Sequence, residues 1–391
     1  MSSTACPSCG TRALETFYEQ DEVPVHSVRL VHTRDEALEF PRGSLRLAFC
    51  AGCGFITNTA YDPAPQDYAV SYEETQGFSP TFNAWADALA ERWVEHYELK
   101  GKDVLEIGSG KGEFLASMVE HGAGHGVGID PSFVEGRVDS AAERIDFIAD
   151  YYSERYGDLT GDAVVCRHTL EHIHPTGDFI GLVRRSLEGR PDTVVLFELP
   201  DVLRVLREGA FWDIYYEHCS YFTPGSLARL FRRAGFELLD LALDYDDQYI
   251  LIECRPSDAE PAEPHPLEED PAAVAEAVRG FADGFAATRA QWRERLARAR
   301  ADGRRTVIWG GGSKGVSFLT TLGVGEEIDC VVDVNPYKQG RYMAGTGHEV
   351  VGPDFLRDNR PDLVIAMNPI YLPEIGAELS AQGVDAELVG A

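Results

Sequence analysis

The stretch "DVLEIGSGKGEF", residues 103–114, constrains the fold of this chain more than any other. A short apolar run interrupted by an acid gives way to Gly108-x-Gly110-x-Gly112, and a mixed apolar run follows. That is the pattern of a strand, a tight turn and a helix N-terminus. Glycines let a ligand approach the backbone closely, and the first N–H groups of the helix are left free to meet it. The flanking sequence agrees. "GVGID", "RIDFIAD", "DAVVCR", "TVVLFELP" and "QYILIEC" read as further strands with helical stretches between them. This alternation predicts an α/β, doubly wound parallel sheet over about residues 102–254.

A chain of 391 residues exceeds one ordinary core. Three segments are expected. Residues 1–60 hold two cysteine pairs and many turns. Residues 61–255 carry the glycine turn, with a helix starting near Ser79-Pro80. Residues 256–391 open on the proline- and acid-rich linker "RPSDAEPAEPHPLEED", continue as a long helix over 272–302, and end in a second alternation, "RTVIWG", "EIDCVVDVN", "PDLVIAMN" and "AELVG". The formal net charge of −30 excludes a nucleic-acid footprint and disfavours an anionic membrane surface. No apolar run is long enough to span a bilayer, and "MSSTACPSCG" lacks the basic-then-apolar order of a leader, so a cytoplasmic protein is expected. A monomer or homodimer acting on a small molecule fits this composition.

Cys6 and Cys9 in "CPSCG", with Cys50 and Cys53 in "CAGCGF", make two knuckles forty residues apart. Four thiolates suffice for a closed tetrahedral Zn²⁺ site. Because such a site leaves no open position, the expected role is structural, with redox use of one pair as the alternative.

The central segment supplies a set of candidate ligand groups in a fixed order. Glu106 ends the first strand, and Gly108, Gly110 and Gly112 follow it. Asp130 ends the second strand, where a carboxylate can accept ribose hydroxyls, and Asp150 follows the third, placed to meet an adenine amino group. The spacing resembles that of class I S-adenosylmethionine (SAM) methyltransferases; NAD binding and a purely structural turn are the alternatives. After the fourth strand, "CRHTLEHIHP" places His172 at the ligand edge of the sheet. Glu171 reads as an acid favoured by a helix dipole, His168 as packing beside the cofactor, and His174 as a polar residue without an assigned task. After the fifth strand, "WDIYYEHCSYFTPGS" returns over the same edge and crowds Tyr215, Glu217 and His218 together. In the last segment, Gly310-x-Gly312-x-x-Gly315, Lys314 and, twenty residues on, Asp333 form a fingerprint that suits a pyrophosphate; NAD or a structural turn are the alternatives.

These pieces, in this order, resemble the sugar C-methyltransferases of deoxysugar biosynthesis, which methylate C3 of TDP-4-keto-deoxysugars. The resemblance rests on the four cysteines, "LEIGSGKGEF", "YYEH" at 215–218, and "WGGGSKG" with "VDVNPYKQG". It implies a zinc-binding N-terminal domain, a class I SAM domain, and a Rossmann-like C-terminal domain that holds a nucleotide sugar and not NAD. It also implies a catalytic Tyr215, Glu217 and His218, with His172 and an N-terminal tyrosine, Tyr72 or its rival Tyr68. Carbon beside a ketone becomes a nucleophile only on losing a proton, so such an enzyme needs a base and an oxyanion donor. His218, with an ordinary pKa of about 6.5, is the expected base, and Glu217 is expected to orient a partner or bond the sugar. The insertion "VPVHSVRLVHTRDEALEFPRGS" departs from the family's pattern, which leaves the acceptor open. O- or N-methylation, and a non-catalytic SAM or nucleotide-sugar binder, are the alternative readings.

Overall fold

A computed structural model describes residues 5–66, 72–138, 142–259 and 263–391. Among them lie three sheets. The first contains β1 (Leu14–Pro24), β2 (Arg42–Cys50) and β3 (Ile56–Asn58), all antiparallel. Its fourth strand, Ser220–Tyr221, arrives from the middle of the chain and pairs with β3 through Ile56 and Thr57. The N-terminal segment is therefore completed by the stretch that immediately follows His218. A division at residue 60 cuts across this sheet.

The second sheet carries β4 (Asp103–Ile107), β5 (His125–Ile129), β6 (Ile145–Ile148), β7 (Ala163–Arg167) and β8 (Val194–Pro200). After the excursion of Ser220–Tyr221, which is β9, the chain adds β10 (Phe236–Asp244) and β11 (Tyr249–Pro256). The order is β10-β11-β8-β7-β4-β5-β6, and β11 alone runs antiparallel to the other six, because β10, antiparallel to β11, shares the direction of the five parallel strands. The sheet is thus doubly wound, as expected, but mixed: a hairpin connection at its edge replaces the last parallel crossover. Helices Pro80–His96, Glu113–Glu120 and Thr176–Ser186 cover its faces, and Trp93, Leu115, Ile180 and Val183 are buried there. Ser79 caps the first of these helices by accepting from the Phe82 N–H, with Pro80 in its first turn.

The third sheet is all parallel, in the order β14 (Val350–Val351), β13 (Cys330–Val332), β12 (Thr306–Trp309), β15 (Leu363–Ala366), β16 (Glu387–Gly390). The 31-residue helix Pro271–Ala301 precedes it, capped by Asp270. This helix packs Val274, Val278 and Phe281 into the same buried cluster as Tyr18, Phe211 and Phe318, so all three segments share one apolar seam. Among the described residues no helix is long and apolar enough to cross a membrane.

Candidate active site

The carboxyl edges of the second and third sheets face each other across a cavity of 1230 Å³. Pockets for one small ligand run to roughly 300–1,000 Å³, so this one has room for a donor and an acceptor together. One glycine turn enters it from each side.

On the first side, Gly108, Gly110 and Gly112 all have positive φ. At Gly108 a Cβ would meet the Thr169 hydroxyl at 1.9 Å, so only glycine allows the turn to lie against the loop after β7. Asp130 spans the turn, accepting from Gly110 N–H at 2.9 Å and from Ser132 N–H at 2.6 Å. Glu106 is buried, one of its carboxylate oxygens has no hydrogen-bond partner, and burial pushes its pKa up to about 8 despite the nearby Arg167. A buried acid with an unfilled acceptor beside a bare-backbone cradle suits the cationic, hydroxyl-bearing S-adenosylmethionine. Asp150 stands apart from this group. Its carboxylate is taken up by Tyr156 O–H at 2.5 Å and Arg155 at 3.3 Å, and it does not line the cavity; its neighbours Tyr151 and Tyr152 do.

Lys111, within the glycine turn, went unremarked in the sequence. Its side chain is buried, and its ammonium donates to Tyr72 O at 2.8 Å and Ser132 O at 2.7 Å, with Glu74 at 3.4 Å. It fastens the segment beginning at Tyr72 over the glycine turn. Tyr72 lines the cavity with its ring 6.0 Å from that of His26. Tyr68 lies outside the described residues.

On the floor between the two turns sits the segment before β9. The helix Val202–Glu208, capped by Asp201, ends at Gly209 in the left-handed region, and a short turn then turns Tyr215 and His218 into the cavity. The Tyr215 hydroxyl is 3.0 Å from His218 Nε2, and the ring of His172 stands 4.8 Å from that of His218 at 86°. His218 does not keep an ordinary pKa. Burial, with His172, His168 and Lys314 nearby, holds it well below 6.5, so the ring is neutral at pH 7. Burial pushes Tyr215 well above 10, making it a proton donor and not a base.

Glu217 faces away from all of this. It is buried, does not line the cavity, and accepts from Ser27 N–H at 2.8 Å, from the Ser27 hydroxyl, and at 3.0 Å from His26 Nδ1. Its partners belong to the N-terminal segment, so it anchors the stretch that carries Tyr215 and His218 from outside the cavity. Tyr216 also points away, packing on Gly43 and bonding with the Asp62 backbone.

The loop after β7 places a second acid at the cavity. Glu171 lies in a three-residue turn, Leu170–His172, too short for a useful dipole. It lines the cavity, is 2% exposed, and neither carboxylate oxygen has a hydrogen-bond partner. His168 beside it has φ +47° and sits 2.8 Å from Glu198 and 3.5 Å from Glu171. Burial opposes its charge, but those two carboxylates prevail and hold it up to about 9. His174 lines the cavity stacked on Tyr61.

On the second side, Gly310, Gly312 and Lys314 line the cavity, while Gly315 lies beneath, packed against Gly310 O. The helix Ser313–Leu322 begins here with free N–H groups aimed at the cavity edge. Asp333 closes the turn on itself, accepting from Gly311 N–H at 2.8 Å and Asn335 N–H at 2.8 Å. Lys314 is paired with Asp213 at 2.8 Å, which ties this turn to the Tyr215 segment.

Away from the cavity, Cys6, Cys9, Cys50 and Cys53 place their sulfurs within 4.8 Å of one another, the closest pairs at 3.6 and 3.8 Å. Tetrahedral zinc with Zn–S bonds of about 2.3 Å needs sulfurs about 3.8 Å apart, so the set fits. The knuckles are held from behind by the helix Pro224–Arg233, whose Arg229 and Arg233 donate to the carbonyls of Cys53 and Ser8.

Residues 79–241 match the methyltransferase domain family, and residues 268–385 match the C-methyltransferase C-terminal domain family. The C-methyltransferase NovU of Streptomyces niveus is 31% identical over 304 residues, which cover 73% of this chain and 71% of that protein. A ubiquinone biosynthesis O-methyltransferase from Neisseria meningitidis serogroup C (strain 053442) is 25% identical over 169 residues, 37% of this chain and 68% of that one. Among solved structures, the Burkholderia thailandensis 1,6-didemethyltoxoflavin-N1-methyltransferase covers 44% of this chain, with 79% of its own chain covered, at 20% identity and a TM-score of 0.33. The extent of the match to a C-methyltransferase, together with the match to the C-methyltransferase C-terminal domain, settles the family: the chain is a member of the C-methyltransferases and uses S-adenosylmethionine as its methyl donor.

Proposed function

We propose that the enzyme methylates the carbon next to the ketone of a nucleotide-linked keto-deoxysugar, with His218 as the base. The observation that carries this reading is the Tyr215–His218 pair standing between two glycine turns that open into one cavity. One turn suits the donor. The other presents backbone N–H groups at a helix N-terminus, the environment that favours a diphosphate. The net charge of −30 opposes an anionic acceptor at long range, so such local donors have to do the holding.

S-adenosylmethionine supplies an electrophilic methyl group; Glu106, the glycine turn and Asp130 are the residues that would hold it. The chain's own part is proton movement and exclusion of water. In the resting site, with His218 in its Nδ1–H tautomer, the Tyr215 hydroxyl donates to Nε2. On acceptor binding the same hydroxyl turns to the ketone oxygen and stabilises the enolate, which frees Nε2 to take the proton from carbon. His172 and Tyr72, on the cavity wall, are the further donors within reach of that oxygen. Glu217 contributes through position alone. The four cysteines would hold a structural zinc ion, which would fix the N-terminal sheet on which β9 is seated.

Incubation with S-adenosylmethionine and a TDP-4-keto-6-deoxyhexose, followed by mass spectrometry and NMR, tests this. The expected product is one methyl heavier, with the new methyl on carbon beside the carbonyl. A methyl on oxygen or nitrogen refutes it.

A further inference from the structure

A neutral imidazole that is to take a proton from carbon must be stable afterwards as a cation, and the surroundings of His218 are poor for one. The loop after β7 brings His168 and His172 towards it, and the C-terminal segment brings Lys314; burial and these three neighbours all disfavour its positive charge. Its own segment offers Asp213, which is spent on Lys314, Glu217, which faces the N-terminal sheet, and Tyr215, Cys219 and Tyr221, which stay protonated. That leaves one carboxylate. Glu171 Oε1 lies 4.0 Å from His218 Nε2, nearly fully buried, with neither oxygen engaged in a hydrogen bond.

A buried carboxylate without a well-formed hydrogen bond is costly to keep, and a native fold does not leave one so without cause. It has no capping role, since the turn Leu170–His172 makes no side-chain cap bond. We propose that Glu171 is a positioning residue that sets the basicity of His218, serving as counter-ion to the imidazolium that forms when the acceptor loses its proton. Until that moment its nearest cationic neighbour is His168, at 3.5 Å from the same oxygen, itself bound to Glu198 on β8. Glu171 Oε1 thus stands between the two imidazoles, 3.5 Å from His168 Nδ1 and 4.0 Å from His218 Nε2. Because Glu171 acts through His218, the inference rests on the enolate reading above.

The test is Glu171→Gln, which keeps shape and removes charge, with Glu171→Asp as the charge-retaining companion. Proton exchange from D₂O into a TDP-4-keto-6-deoxyhexose, without S-adenosylmethionine, is followed by NMR from pH 5 to 9, and S-adenosylmethionine affinity is measured alongside. Wild type is expected to exchange. Glu171→Gln is expected to bind S-adenosylmethionine within about 3-fold of wild type and to exchange roughly 10-fold more slowly on the pH plateau, following the lower basicity of the ring. Its acid limb moves about 1–2 pH units lower, as loss of a neighbouring opposite charge dictates. Glu171→Asp keeps the acid limb near wild type. An unchanged limb in Glu171→Gln overturns the proposal, as does equal loss of exchange and of S-adenosylmethionine binding in both variants, which marks a structural residue. Absence of exchange in the wild type refutes the enolate reading itself, and is told apart by needing no variant.

Discussion

Replacing Glu217 by alanine separates anchoring from chemistry. The carboxylate meets three donors from the N-terminal segment: Ser27 N–H, the Ser27 hydroxyl and His26 Nδ1. A hydrogen bond to a charged group contributes about 1.5–3 kcal/mol. The Ser27 hydroxyl has a second partner in Ser313 at 2.7 Å and loses little. The other two contacts put the cost of Glu217→Ala at about 3–6 kcal/mol. Urea unfolding followed by near- and far-ultraviolet circular dichroism reads this loss, and Glu217→Gln, which keeps one acceptor oxygen, should lose about half as much. Neither variant should displace the acid limb of the activity profile, because Glu217 does not face His218's side of the segment. The reasoning fails if Glu217→Ala costs under about 1 kcal/mol, or if Glu217→Gln moves that limb while leaving stability intact.

Three further outcomes are expected. Lys111→Met removes the buried ammonium that ties the Tyr72 segment over the glycine turn, leaving Glu74 without its cation; a loss of about 3–5 kcal/mol by thermal unfolding and at least tenfold weaker S-adenosylmethionine binding by calorimetry should follow. His168 has a folded pKa raised from 6.5 to about 9, so its contribution is fully present below pH 6.5 and disappears as pH climbs through about 9; it amounts to about 3 kcal/mol at most, and His168→Gln should flatten the stability profile across that window. Cys50→Ser should reduce bound zinc, read by elemental analysis, from one per chain to a small fraction, and lower the thermal midpoint.

The glycine turn, with Glu106 and Asp130 beside it, was legible because it depends on local backbone geometry, which glycine spacing reports directly; Asp150, further along, was not, since Tyr156 and Arg155 draw it aside. The long helix was legible from its helix-forming composition, and four strands of the third sheet from their short apolar runs; β14, two residues long, offered no run to read. The hairpin of β10 and β11 was read only by half. β10 carries a register shift between Leu238 and Asp240, which breaks the alternation that marks a strand. β9 is two residues long and has no periodicity to read, yet it sets which way the preceding residues face. That is why neither Glu217 nor Glu171 sits where the sequence suggested: Glu217 meets Ser27 and His26, and Glu171 lines the cavity. Adjacent residues in an irregular segment diverge by conformation and not by rule, so Glu217 beside His218 turned outward, while Glu171, forty-seven positions earlier, was brought to it by the sheet edge.

The central claim is that His218 takes a proton from carbon before any methyl is transferred. Deuterium incorporation from D₂O beside the ketone of a TDP-4-keto-6-deoxyhexose, compared between wild type and His218→Ala with S-adenosylmethionine binding confirmed in both, tests it directly. The account predicts incorporation by wild type and at least a 10²-fold loss in His218→Ala. Equal incorporation by the two would contradict it.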